Sequence, residues 1–282
     1  VAADAARLAA RLVDGEEVDV VTEVAEPLPL DTILRLLGLP ASDGPALHEL
    51  SGRIIAAVDA ATSADASDAI TADALLQQHM RDHVARRRAE PADDLTSAML
   101  AQPELDDGDV ALLCTQLLVN GHESTVSFIG TGLYVLLDHR DQWERLVADP
   151  SLVDGAVEEC LRYEAPSQRT STRFTTEDLV VGDVTVPAGH QVSCLVGSAN
   201  RDERVFEHPD TLDVARAPNP HLAFSHGRHH CPGAALTRLE FAELLRHLVV
   251  HAPDLEVVGG PPRFRPNSFD RGLESLVVRR GG

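Results

Sequence analysis

The ten residues Phe224-Ser225-His226-Gly227-Arg228-His229-His230-Cys231-Pro232-Gly233 carry more chemistry than any other stretch of this chain. Cys231 stands directly before Pro232, and an apolar-periodic run follows through Leu236, Leu239, Leu244, Leu245 and Leu248. Proline is favoured at the first position of a helix, so this order predicts a helix opening at Pro232, with Cys231 at or next to its N-cap. Unpaired N–H groups and the helix dipole at such a position favour a thiolate over a thiol. Gly227 allows a tight turn, Phe224 can pack beneath whatever the sulfur binds, and Arg228 and His229 add positive charge. The same residues admit a second reading, a zinc loop with His226, His229, His230 and Cys231 as ligands. Against it, adjacent His229 and His230 point in divergent directions, and no second Cys/His cluster lies nearby in the sequence.

The spacing Phe-x-x-Gly-x-His-x-Cys-x-Gly, at Phe224, Gly227, His229, Cys231 and Gly233, resembles the haem-binding loop of the cytochrome P-450 superfamily. The resemblance implies heme b (iron protoporphyrin IX) as cofactor and Cys231 as the axial thiolate ligand to its iron. It also implies that Phe224, Gly227 and Gly233 shape the loop and that His229 lies beside a haem propionate.

Composition narrows the alternatives. The 282 residues can bury a large core, and 44% hydrophobic with 24% charged residues is ordinary for a globular protein. With 24 basic against 45 acidic residues the formal charge is −21, which argues against a nucleic-acid partner. All basic residues are arginine. No apolar run is long enough to span a bilayer, and no signal-peptide pattern opens the sequence. Cys114, Cys160, Cys194 and Cys231 are widely spaced, which suits a reducing cytoplasm.

Along the chain, Val1 to Pro40 reads as amphipathic helices built on Leu8 and Leu12, on Val20, Val21 and Val24, and on Ile33, Leu34 and Leu37. Two more helical patterns cover Ala46 to Val58 and Ile70 to Arg88, joined by an Ala/Ser/Asp-rich link; Arg86-Arg87-Arg88 reads as a solvated helix end. The longest pattern runs from Asp109 to about Leu137, where Val110, Leu113, Leu117, Leu118, Phe128 and Val135 predict a buried helix. Its middle, Asn120-Gly121-His122-Glu123-Ser124-Thr125, places a glycine and several polar groups where apolar ones would stabilise more. Hydroxyls bonding four residues back can bend the helix there and open a groove. After a helix over 151–165, the pattern turns to strands. Leu179–Val181 and Val184–Val186 form a hairpin, Gln191–Val196 a further strand, and Leu255–Val258 and Leu276–Arg279 the last pair.

The segment Asn120 to Thr125 resembles the superfamily's oxygen-activation helix. That resemblance makes Gly121 a haem contact, Glu123 a proton-relaying acid, Ser124 and Thr125 the hydroxyls that hold water at the oxygen site, and Asn120 a substrate contact. Two departures stand out: Asn120 replaces a small residue, and Ser124 is a less restrained hydroxyl than threonine. Glu159 and Arg162, an E-x-x-R pair, match the family's structural pair; the third member of that network is absent or supplied elsewhere, since Thr211 and Leu212 stand at the matching place and Arg216 follows. By resemblance Arg173 is a second propionate partner and Phe269 a substrate contact.

The resemblance therefore implies a mainly α, cytochrome P-450-like helical fold with a small β region and its N-terminal part absent, residues 1–282 being one incomplete domain. The implied activity is a cytoplasmic haem-thiolate monooxygenase of secondary metabolism, which inserts one atom of O2 into a small organic substrate. The chain has no flavin or nicotinamide motif, so electrons would come from a ferredoxin, docked on Arg228, His229, His230 and Arg238. Family members carry a substantial portion before the point matched by Val1, and the chain lacks an initiator Met. A fragment, a processed form or a shortened relative fits that start, and a non-catalytic binding or recruitment module is the competing reading.

Overall fold

The computed structural model describes residues 1–13, 17–59, 66–266 and 270–281. Helices dominate: α1 (Ala2–Ala9), α2 (Pro27–Leu37), α3 (Gly44–Asp59), α4 (Ala66–Ala89), α5 (Leu95–Leu100), α6 (Asp107–Asp138), α7 (Arg140–Ala148), α8 (Val153–Tyr163), the single turn α9 (Val196–Ala199) and α10 (Ala234–His251). Local chemistry sets their ends. Pro27 opens α2, and Gly38 closes it with φ 72°, a left-handed cap that favours glycine. Asp106 and Asp109 form a reciprocal capping box at the start of α6.

Among the described residues seven short strands accompany the helices. β1 (Val18–Asp19), β7 (Val277–Arg280) and β6 (Leu255–Val257) form an antiparallel sheet in the order β1-β7-β6. β2 (Arg173–Phe174) pairs with β5 (Gln191–Val192), and β3 (Leu179–Val181) with β4 (Val184–Val186) in the expected hairpin. The strand expected over Gln191–Val196 is shorter, because the chain leaves the ladder and turns into α9 at Val196. Val20, Val21 and Val24 are helical and buried as their pattern predicts, but the helix is of the π type. They follow β1, whose pairing with β7 ties residues 18–19 to the far end of the chain, and Val21–Ala25 forms a π-helical turn. The basic helix end at Arg86-Arg87-Arg88 is present, with Arg86 and Arg88 exposed, and two of its arginines also reach back to the fold: Arg87, half-buried, pairs with Asp94 and donates to the Gly38 carbonyl, and Arg88 pairs with Asp107 and donates to the Leu100 carbonyl.

The buried side chains fall into two cores, and α6 belongs to both. Its first half, with Val110, Cys114, Leu118 and Val119, packs with α2, α4 and α5 around Leu37, Leu76, Met80 and Leu100. Its second half, with Val126, Phe128, Ile129, Leu133 and Leu136, packs with α1, α7, α8 and α10. Gly132 lets α10 close in, since a β-carbon there would stand 2.8 Å from the ring of buried Phe241. Residues 120–125 fall where α6 passes from one core to the other. That position tolerates polar groups without breaking either core.

Candidate active site

Cys231 is half-buried at the head of α10, but the helix does not open at Pro232. Gly233 is the N-cap and Ala234 the first helical residue. Cys231, Pro232 and Gly233 form a turn instead, closed by the Ala234 N–H on the Cys231 carbonyl at 3.3 Å. The Cys231 N–H donates to the Phe224 carbonyl at 2.9 Å, so the loop folds back on itself. Gly227 takes φ 78°, the left-handed conformation that its lack of a side chain permits, and the next residues wind one 3-10 turn.

A charged brace holds Phe224, which is buried beneath the loop. The Arg238 guanidinium lies 4.5 Å from the Phe224 ring centre and grips Glu158 with two hydrogen bonds of 2.6 and 2.9 Å. His221 accepts the Ala223 N–H at Nδ1, so its Nε2–H donates at 3.1 Å to Oε2 of Glu158, the oxygen that also takes the 2.9 Å bond from Arg238. Burial alone would raise the Glu158 carboxyl, but these two donors outweigh it and hold the pKa at about 2. Arg238 therefore braces the fold through Glu158 while its side chain stays 37% exposed.

α6 runs through residues 120–125 as a continuous helix. Leu113, Gln116, Leu117, Asn120 and Ser124 recur at intervals of three and four, forming a stripe of exposed and half-exposed residues on a helix that is largely buried beyond its first turn. Leu113 is 39% exposed although its periodicity predicts a core position. Ser124 donates back to the Asn120 carbonyl at 3.4 Å, and Asn120 bonds the Gln116 carbonyl and side chain. Thr125 faces the other way, to the hydroxyl of Thr237 on α10 at 3.2 Å, and this bond joins the stripe's helix to the helix that follows Cys231. A β-carbon at Gly121 would meet Ile33 of α2 at 3.4 Å, so this glycine also serves helix packing.

Glu123 departs most from its expected setting. Its carboxyl is engaged by two histidines: Oε1 lies 3.2 Å from Nε2 of buried His122 and 3.5 Å from Nδ1 of His48 on α3. Burial pushes this carboxyl up, and the His122 ring with the nearby charges of His48 and Arg265 more than offsets it, leaving the pKa below the ordinary value. Sequence spacing gave no hint of His48, which is 74 residues from His122.

Further from the loop, Glu159 and Arg162 are wholly buried and pair through two bonds of 2.8 Å. Arg162 also donates to the carbonyls of Asn200, Pro209 and Thr211. Arg216 supplies the missing third member, with its Nε 3.1 Å from both oxygens of Glu159, and Asn219 adds a bond of 3.0 Å. Each atom of this buried ion pair is therefore bonded, the condition under which such a pair is tolerated.

Arg173 lies exposed in β2 and His229 exposed in the loop; among the described residues neither side chain has a hydrogen-bond or ion-pair partner. Phe269 is outside the described residues. The zinc-loop reading loses its geometry, since among the described residues the ligand atoms of His226, His229, His230 and Cys231 do not converge. What remains is a half-buried thiol at the end of a braced loop, a stripe of exposed and half-exposed apolar and hydroxyl groups, and, in Arg173 and His229, two side chains with N–H donors and no protein partner among the described residues. That donor set fits a flat apolar group with a central soft-ligand metal and peripheral carboxylates, as haem has.

The profile of the cytochrome P450 family matches residues 67–256. The chain belongs to the cytochrome P450 family. It is 39% identical over 277 residues to cytochrome P450 107B1 of Saccharopolyspora erythraea, covering 96% of this chain and 67% of that protein. It is 36% identical to the vitamin D(3) 25-hydroxylase of Pseudonocardia autotrophica, covering 94% of this chain and 66% of that protein. Among solved structures, P450BioI in complex with an acyl carrier protein ligated to hexadec-9Z-enoic acid superposes with a TM-score of 0.94 at 33% identity, over 99% of this chain and 73% of that one. The P450 fold expected from sequence is thus present, and the chain spans about two thirds of the length of the curated relatives it matches. Its class is that of the cytochrome P450 monooxygenases, whose cofactor is haem. No helix among the described residues of this P450 is long and apolar enough to cross a membrane.

Proposed function

We propose that this chain is the haem-thiolate part of a monooxygenase that inserts one atom of O2 into a small organic substrate, by hydroxylation or epoxidation, with Cys231 as the axial ligand. The observation that carries this reading is the thiol of Cys231, half-buried on a loop braced by Phe224, Arg238 and Glu158, at the head of the helix that Thr237 bonds to Thr125 of α6. Bound haem supplies the redox chemistry of oxygen activation, and the thiolate's electron donation favours O–O cleavage.

The chain's own groups position and protonate. Ser124 offers a hydroxyl on the uncovered face of α6, where it can orient a water. Glu123, nearly buried, receives protons through His48, whose side chain is 36% exposed and whose Nδ1 lies within 3.5 Å of the carboxyl. Arg173 and His229 anchor the propionates, Arg173 by the bidentate pairing a guanidinium offers a carboxylate. Asn120 contacts the substrate from the same stripe. We read residues 1–282 as one domain, working in the cytoplasm with a ferredoxin as electron donor; the four unpaired cysteines accord with that compartment. The Arg216 bond to Glu159 restores the buried network and removes one ground for a non-catalytic relative.

The test is the spectrum of the haem-supplemented chain, reduced and exposed to carbon monoxide. A strongly red-shifted Soret band, absent in Cys231→Ser, supports the reading. Absence of haem uptake, or the same band in the variant, overturns it.

A further inference from the structure

We propose that His48, His122 and Glu123 form a binding site for a divalent transition-metal ion of the zinc class, distinct from the haem thiolate. The three ligand atoms close a nearly equilateral triangle: His48 Nδ1 to His122 Nε2 is 3.3 Å, His122 Nε2 to Glu123 Oε1 is 3.2 Å, and His48 Nδ1 to Glu123 Oε1 is 3.5 Å. Zinc holds nitrogen and oxygen ligands at about 2.0–2.1 Å, and a tetrahedron with those bonds has edges of about 3.3–3.4 Å. The observed triangle is one face of that tetrahedron. Two histidines and one glutamate are also the ligand set of open, three-ligand zinc sites, with the fourth position left to water.

Proton bookkeeping supports the same assignment. His122 Nδ1 lies 2.8 Å from the Leu118 carbonyl, which can only accept, so Nδ1 carries a proton and Nε2 is the ring nitrogen left facing the cluster, the one a metal would take. The same bond is the outer-shell contact that orients a metal-binding imidazole. Oε1 of Glu123 is buried with no partner in hydrogen-bonding alignment, despite the closeness of both rings. Three ligand atoms thus converge within 3.5 Å of one another, and a cation satisfies all three. His122 is fully buried on α6, while His48 comes from α3 and is partly exposed, which gives an ion a way in. Among the described residues this is the one group of three such side chains whose ligand atoms converge.

Occupancy would take Glu123 out of proton delivery, so the metal would act as a brake; that consequence rests on the proposed oxygenase reading, whereas the site itself does not. The experiment is calorimetric titration of the chelator-treated chain with zinc chloride. The expected result is one site that weakens more than about 100-fold in His48→Ala, since loss of a ligand should exceed the 10–100-fold cost of losing an outer-shell partner. The control is His247→Ala, which breaks the neighbouring-ring pair His247 and His251 on α10 and should leave that site in place. His48 is partly exposed, so His48→Ala should fold, as circular dichroism would verify. X-ray absorption at the zinc edge supplies a second readout, with two imidazoles and one carboxylate expected in the first shell. Equal affinity in His48→Ala, or a ligand set without two imidazoles, overturns the proposal. Zinc uptake by a chain that takes up no haem would leave this site standing and sink the oxygenase reading.

Discussion

On α10 the carboxyl of Glu240 is 1% exposed and its Oε1 has no hydrogen-bond partner. Burial raises its pKa from the ordinary 4.5 to about 7, and a bond from Thr32 only partly opposes this. Below about pH 4.5 the group is protonated whether the chain is folded or not, and its neutral form is fully accommodated. As pH rises through about 7, the folded state must hold a buried carboxylate that the unfolded chain would solvate, so stability is lost across that window. Glu240→Gln should remove this dependence and exceed the parent at pH 8 by about 3 kcal/mol, read from urea unfolding at several pH values. At Pro232, directly after the thiol, the backbone has no N–H to offer the sulfur. Pro232→Leu restores a donor and should raise the reduction potential of the bound haem by on the order of 40 mV, the equivalent of about 1 kcal/mol for one electron. A redox titration giving an unchanged potential in a folded variant would sink that role.

At the scale of elements, α8 meets the irregular chain that follows α9 through a buried charged network centred on Glu159 and Arg162. Arg216 reaches Glu159 with bonds of 3.1 Å to both oxygens, and its other nitrogens donate to the carbonyls of Glu207, His208 and Thr211. Arg216→Ala leaves Glu159 with Arg162 but removes these ties, and should cost about 1.5–3 kcal/mol in urea unfolding. No spacing rule identified Arg216, because the segment from 200 to 220 has no periodicity and only its folded path brings residue 216 back to α8. By contrast, α6 was legible at once, since Val110, Leu118, Phe128 and Val135 recur at helical intervals and are buried. The same rule misplaced Leu113, because a leucine on a helix face left open for a ligand gives the same pattern as one packed in a core. His48 was invisible for a third reason: a lone histidine on α3 carries no signal until tertiary packing sets it against α6.

Over the whole molecule, what the sequence revealed was order and chemistry, and what it hid was which surfaces stay open. The Cys231 loop, the 120–125 segment and the E-x-x-R pair appear in sequence order, and each could be named before any contact was known. Openness depends on what the rest of the chain does not cover, and no local pattern encodes that. Along α6 the leucines Leu112 and Leu113 are 52% and 39% exposed, and Leu195 is 62% exposed. A chain with such uncovered apolar groups and an unpaired thiol should gain stability from the group that fits them, by mass action. With haem free at about 100 times its dissociation constant the gain is about 2.7 kcal/mol. For a chain somewhat above 250 residues this corresponds to a rise in Tm of about 5 °C. Thermal melts followed by circular dichroism should show that rise for the parent and most of it lost in Cys231→Ser. An equal rise in the variant would mean that haem is held by the apolar surface alone, and the thiol would lose its assigned part in binding.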